Sequence, residues 1–257
     1  MKTDLAIDLD FYPPEHLRIE TMPVLHGFFG RNGGVSDGDY ATLNCGHKGD
    51  LPENILENRK RVAACFGMPI KSLMLLEQVH GGHVVVVDEV TPDLKADAMV
   101  TKKKNILLGI QTADCVPILL HSPSGVIGAV HGGWKSLSGD IIEHTIKKMV
   151  KLGAEREEIS ALIGPCIRKN SYEVGIDFYE HFLKMDQANE ALFSKKEDRY
   201  FFDISHYGEK RLIKSRVSKI FDVGKDTYTD EENYFSRRRS FQAQKNYGSQ
   251  LSVIMLS

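Results

Sequence analysis

The chain has 257 residues, 42% of them apolar and 26% charged, the ordinary balance of a soluble globular protein large enough for its own core. Disordered, collagenous and disulfide-scaffold chains are excluded by that composition. Lys and Arg number 33 against 35 Asp and Glu, a net charge of −2. A protein that grips nucleic acid electrostatically carries a basic excess, so no nucleic-acid partner is expected.

Met1–Asp10 places Asp4, Asp8 and Asp10 where a signal peptide needs an apolar stretch, so no export signal is expected. Pro13, Pro14 and Pro23 punctuate an irregular entry. Arg31–Asp50 is rich in Gly, Asn and Asp and reads as a long structured loop. A helix follows from Pro52 and Glu53 to Phe66, stopped by Gly67 and Pro69. Leu73–Gln78 and His83–Val87 read as strands joined through Val79–Gly82. Ile106–Ile110 and Val116–His121 are strand-like and are interrupted by Gln111–Cys115. Ser122–Gly125 is a turn, and Val126–Val130 returns as a strand. Ser136–Leu152 has helical period, with Ile141, Ile142, Thr145, Ile146, Met149 and Val150 on one face and Gly153 to stop it. Leu162–Ile167 is a candidate strand. Phe178–Phe193 and Ser205–Ile220 read as helices, and Leu251–Leu256 as a terminal strand. Strands thus come in blocks, with hairpins, ahead of the helices. The expected class is α+β in a single domain spanning 1–257, not a doubly wound parallel sheet.

Asn105–Trp134 is the longest stretch poor in charge, but Asp114, Pro117 and Pro123 interrupt it, so no membrane span is expected. Cys45, Cys65, Cys115 and Cys166 are scattered with no CxxC pair. Without an export signal they read as free thiols in a reducing cytoplasm.

Three segments gather unusual residue types at strand ends: Glu77–Gly81, Thr112–Pro117 and Ala129–Trp134. They carry His80, Cys115 and His131. One thiolate and two imidazoles suit Zn2+, and three protein ligands leave a fourth position for water or substrate, the arrangement of a catalytic site. Singly, each residue reads as readily as a packing residue: Cys115 as a small buried thiol, the histidines as imidazoles bonded to carbonyls. The glycines after both histidines favour the joint reading. Asp114, beside the thiol, is a candidate to orient a ligand imidazole or carry a proton; it serves equally to cap the turn before Pro117. Arg31, with Gly33 and Gly34, Asn44 and His47 nearby, is either a phosphate or carboxylate cradle or a solvated connecting loop. Gly132–Ser136 opens a helix, where Lys135 makes an anion site and Ser136 or Ser138 a plain cap. Gln78 is a candidate for base recognition. Arg237–Arg239 is an anion-binding or an internally paired patch.

Read as a set, the words FFGRNGGVSDGDYATLNCGHKGD, EQVHGGHVVVVD, ADAMVT, TADCVPILL, AVHGGWKS, IGPCI, SYEVG and FSRRRS resemble the YfiH-like family, also labelled laccase-domain or polyphenol oxidase proteins. They run from Phe28 to near the C-terminus. The resemblance implies a mixed-sheet layered α+β fold like the catalytic domain of cytotoxic necrotizing factors, and a metal site on His80, Cys115 and His131. It implies zinc-dependent phosphorolysis of adenosine, inosine, guanosine and methylthioadenosine, with adenosine deamination, in a cytoplasmic monomer or weak homodimer. In that setting Arg31 and Lys135 are assigned to phosphate. The older label implies instead a Cu2+ polyphenol oxidase, although the chain's ten His include no HxH pair. Likeness to the toxins implies a third reading, a Cys115–His131 amidase acting on cell-wall peptide precursors. A partner that binds metal without turnover is a fourth. The chain departs from the family's words: Gly132 stands for Ala, Lys135 for Arg, Arg237 for Tyr and Ser249 for Arg, and a Cys is missing near Thr227.

Overall fold

The structure, a computed structural model, describes residues 14–47, 49–217 and 219–257. The N-terminal segment read above for export, and Pro13, lie outside the described residues. Two mixed sheets stack face to face. The five-stranded sheet has the order His16–Leu17, Leu25–Phe29, Gln250–Met255, Leu107–Thr112, Leu73–Met74. The six-stranded sheet runs Lys219–Asp222, Ser160–Ile163, Val116–Ser122, Val126–Gly132, Ala98–Thr101, Val84–Val86. Phe28, Leu108, Ile110, Leu119, Ile127, Ala129 and Ile254 form the layer between them. Helix Pro52–Ala64 covers the outer face of the first sheet through Val62 and Ala63 against Phe29, Leu107 and Val253. Helices Ile141–Lys151 and Ile204–Lys214 cover the outer face of the second through Ile142, Ile146, Met149 and Leu212. Both hairpin strands, Val116–Ser122 and Val126–Gly132, are buried at every residue because apolar layers lie on both of their faces. No described helix is long and apolar enough to cross a membrane.

The α+β expectation holds at the level of mixed sheets and packed helices, with several local corrections. Leu73–Gln78 and His83–Val87 shorten to Leu73–Met74 and Val84–Val86, and they belong to different sheets, so Val79–Gly82 is no hairpin turn but a loop between sheets. Leu107–Thr112 and Val116–Ser122 also lie in different sheets, with Ala113–Cys115 crossing between them. Ser136–Leu152 is broken: Trp134–Ser138 and Ile141–Lys151 are separate helices, because Asp140 takes φ 61 between them. The strand at 162–167 is Ser160–Ile163, ending where the chain turns at Gly164 and Pro165. The helix from Phe178 ends at Met185, and Phe193–Lys196 pairs with Arg199–Phe202 in a small third sheet. The helix from Ser205 stops at Lys214, and Lys219–Asp222 is a strand parallel to Ser160–Ile163.

Candidate metal centre

Sheet register builds the site. Ile127, Ala129 and His131 share one face of their strand, so His131 follows the apolar inter-sheet layer to the sheet's end. Val116 pairs with Gly132, which brings Cys115 beside Gly133. The loop Val79–Gly82 supplies His80, held at φ 58. The ligand atoms of His80, Cys115 and His131 all lie within 4.8 Å of one another, and the two imidazoles meet edge to face at 4.7 Å.

Asp97 organises this group, and the sequence reading missed it. Ala98 pairs with Val130, so Asp97 stands opposite His131. One carboxylate oxygen accepts from His131 Nδ1 at 2.7 Å and from the His80 amide at 2.8 Å. The other accepts from the Gly81 amide at 2.6 Å and the Val79 amide at 3.2 Å. The side chain is fully buried. Taking Nδ1 leaves His131 Nε2 as the free donor, the outer-sphere arrangement that fixes ligating histidines. Burial works against the Asp97 anion, but the His131 bond and the loop amides outweigh it and hold its pKa below the ordinary carboxylate value.

The thiol is set for metal. Burial would raise the Cys115 pKa; the His131 charge and hydrogen bonds from both imidazoles bring it down to about 6. Burial would lower His131, and the Cys115 thiolate with Asp97 raises it to about 9. Thiolate and imidazolium thus stabilise one another in this pair. Burial carries the Cys45 thiol the other way, up to about 12. A thiolate, two imidazoles and a bonded outer carboxylate fit Zn2+ by their donor chemistry.

Gly133 is fixed by space. Its backbone, φ −69 and ψ 155, suits any residue, but an added Cβ would lie 2.7 Å from His80 Nδ1 and 3.5 Å from Cys115 Sγ. Gly133→Ala is therefore expected to weaken metal affinity by about 10–100-fold while leaving the melting temperature of the metal-free protein nearly unchanged. Chelator competition beside thermal denaturation checks this.

The triad opens into a cavity of about 780 Å³. His47, Gln78, Asp114 and Lys135 line it; Arg31 and Asn44 do not. Arg31 donates to the Ala41 and Glu231 carbonyls and lies 4.7 Å from the Phe235 ring centre, tying the loop to the 231–235 segment. Asn44 is fully buried, accepting from the Gly46 and Ser249 amides and donating to Asp50. The phosphate cradle expected at these two residues is thus a scaffold. Both amide atoms of the Gln78 side chain are engaged with the Gln111 backbone, leaving it poorly placed to read a base. Asp114 orients neither imidazole. Its carboxylate accepts from the Thr227 hydroxyl at 2.7 Å and the Arg238 amide at 2.9 Å, pinning the start of helix Arg237–Gln242, and burial raises its pKa. The Arg237–Arg239 cluster divides. Arg239 donates to the Thr227, Tyr228 and Tyr234 carbonyls. Arg238 lies 5.3 Å from the Tyr172 ring centre, and Arg237 is exposed on the cavity wall.

A family model described as multi-copper polyphenol oxidoreductase laccase matches residues 25–257. A Rickettsia conorii protein named purine nucleoside phosphorylase is 39% identical over 207 residues, 79% of this chain and 85% of that one. The Escherichia coli protein named purine nucleoside phosphorylase YfiH is 36% identical over 229 residues, 88% and 91% of the two chains. The crystal structure of a Neisseria meningitidis protein superposes with a TM-score of 0.85 at 28% identity, over 96% of this chain and 100% of that one.

Proposed function

The chain belongs to this laccase-domain, YfiH-like family, and on that premise we propose that it is a zinc-dependent purine nucleoside phosphorylase. The observation that carries the reading is one cavity with the His80–Cys115–His131 group in its wall and Lys135, Arg237 and Arg238 around it. About 780 Å³ falls within the range of small-ligand sites, with room for a nucleoside and a phosphate. The substrates proposed are adenosine, inosine, guanosine and methylthioadenosine, with deamination of adenosine as a second reaction. Zn2+ on the triad would supply Lewis acidity to either reaction.

In phosphorolysis a phosphate oxygen bonds to C1′ of the ribose as the bond from C1′ to the purine nitrogen breaks, and the purine leaves with the electron pair. Ribose carbon becomes cationic and the base anionic in the transition state. Lys135 and Arg237 are the cations free to hold phosphate in line, replacing Arg31 in that role. Family words carry Arg where Ser249 stands and Tyr where Arg237 stands. Both positions line this cavity, so a cation is relocated within it rather than lost. Lys135→Ala and Arg237→Ala are each expected to raise KM for phosphate roughly tenfold with KM for inosine little changed. Initial rates at varied phosphate and fixed inosine measure this.

The deciding experiment is elemental analysis of the purified protein together with a product assay on inosine plus phosphate. Zinc with release of hypoxanthine and ribose 1-phosphate is expected. The family's description as a multi-copper polyphenol oxidoreductase favours a second reading, copper with phenol oxidation; copper content, phenol turnover and no purine release would establish it instead. Amide hydrolysis by metal-free protein, with covalent labelling of Cys115, would replace both. The free thiols support a reducing, cytoplasmic setting.

A further inference from the structure

Behind the metal loop lies a second concavity of about 340 Å³, lined by Gly82, His83, Val84 and by His144, Lys147, Lys148 and Lys151 of helix Ile141–Lys151. The helical spacing 144, 147, 148, 151 puts these four on one stripe, opposite the stripe of Ile142, Ile146 and Met149 that packs on the sheet. No carboxylate lines the groove, and none of its lysines has an acidic partner among the described ion pairs. Glu143, the acid of the same helix, is turned away to Arg211. Such a one-sign lining in a chain of net charge −2 is a concentration of positive potential, not a mixed solvated face. The walls are also fixed: His144 Nδ1 donates to the Gly82 carbonyl at 3.0 Å, closing the groove against the loop that carries His80.

We propose that this groove is a separate binding site for a small multiply charged phosphate anion, the diphosphate or triphosphate group of a free metabolite. Three ammonium groups on one stripe match an anion of several charges better than a single carboxylate. The groove is bounded by a loop on one side and a helix on the other. It is short compared with the extended basic surface that nucleic acid needs, and the chain has no basic excess for such a partner. Its loop wall is Gly82–Val84, which follows the Gly81 amide that Asp97 holds. The site is independent of the reaction assigned to the cavity.

Isothermal titration with inorganic pyrophosphate tests it, on the intact protein, on two double variants and on their combination. In Lys135→Ala/Arg237→Ala the two cavity cations assigned to phosphate are gone, so saturable binding that persists there and is lost on adding Lys147→Gln/Lys151→Gln belongs to the groove. Lys147→Gln/Lys151→Gln is expected to weaken that binding by about tenfold or more while folding and inosine turnover are unchanged. All four lysine and arginine side chains replaced are exposed, so folding is not at stake. Loss of all pyrophosphate binding in the cavity variant, or full retention in the groove variant, overturns the proposal. Binding of single-stranded RNA or of phosphatidylglycerol vesicles that requires Lys147 and Lys151 and outcompetes pyrophosphate would also overturn it, assigning the groove to a macromolecular or membrane partner.

Discussion

Cys115→Ala is expected to abolish turnover of inosine and phosphate, by about a thousandfold or more in kcat/KM, and to empty the site of zinc. Two imidazoles within 4.8 Å of one another bind a divalent ion far more weakly than the same pair with a thiolate. Structural loss is expected to be small. Cys115 sits at the mouth of its strand and is not fully buried, and the strand is held by its pairing to Val126–Gly132 and Ser160–Ile163. Cys115→Ser separates ligand softness from shape: it keeps a similar volume but offers a hard oxygen, so zinc occupancy should fall nearly as far. Metal content per chain, ribose 1-phosphate release and far-UV circular dichroism measure the three quantities. Wild-type turnover in Cys115→Ala would refute the His80–Cys115–His131 group as the centre of the reaction.

The triad was legible because its residue types are rare and soft and sit beside glycines. What no spacing could show is that they meet. His80, Cys115 and His131 converge only through pairing across the six-stranded sheet and a loop that crosses between sheets. The hairpin Val116–Gly132 was legible for the opposite reason: its turn, Ser122–Gly125, is local, and it is flanked by the apolar runs Val116–Leu120 and Val126–Val130. Leu73–Gln78 and His83–Val87, read as strands joined through Val79–Gly82, belong to different sheets: local pattern says where a strand is, not which sheet takes it. The break at Gly139–Asp140 was hidden because the apolar period runs on across it.

Arg31 and Asn44 show how polar loop residues mislead. A guanidinium and an amide in a Gly-rich segment look like ligand contacts. Here they satisfy the carbonyls and amides of a loop too long to satisfy its own. Asp114 is the same lesson at closer range: adjacency to Cys115 in sequence does not turn its carboxylate to either imidazole. The carboxylate instead ties residues 227 and 238 to the strand end. Asp97 left one faint signal, an acid opening the apolar run Ala98–Val100, which demands a partner once buried.

That partner set makes Asp97 the second most consequential position. Asp97→Ala is expected to cost about 3–5 kcal/mol in stability, because removing the acceptor strands the buried His131 Nδ1 and leaves three part-buried loop amides without their common partner. The donors are His131 Nδ1 and the amides of Val79, His80 and Gly81. Asp97→Asn is the sharper test. It keeps the shape, yet its amide has one acceptor oxygen where the carboxylate has two, and its NH2 faces donors. Either His131 loses its anchored tautomer or the loop loses its amide bonds, and His80 moves with the loop. Zinc affinity should fall about 10–100-fold, with a corresponding loss of turnover at limiting zinc that added zinc partly restores. Cys115→Ala would not be rescued in this way, so the two variants separate a ligand from the residue that positions ligands. An Asp97→Asn protein that binds zinc and turns over like the wild type would show that the loop and imidazole are placed by packing alone.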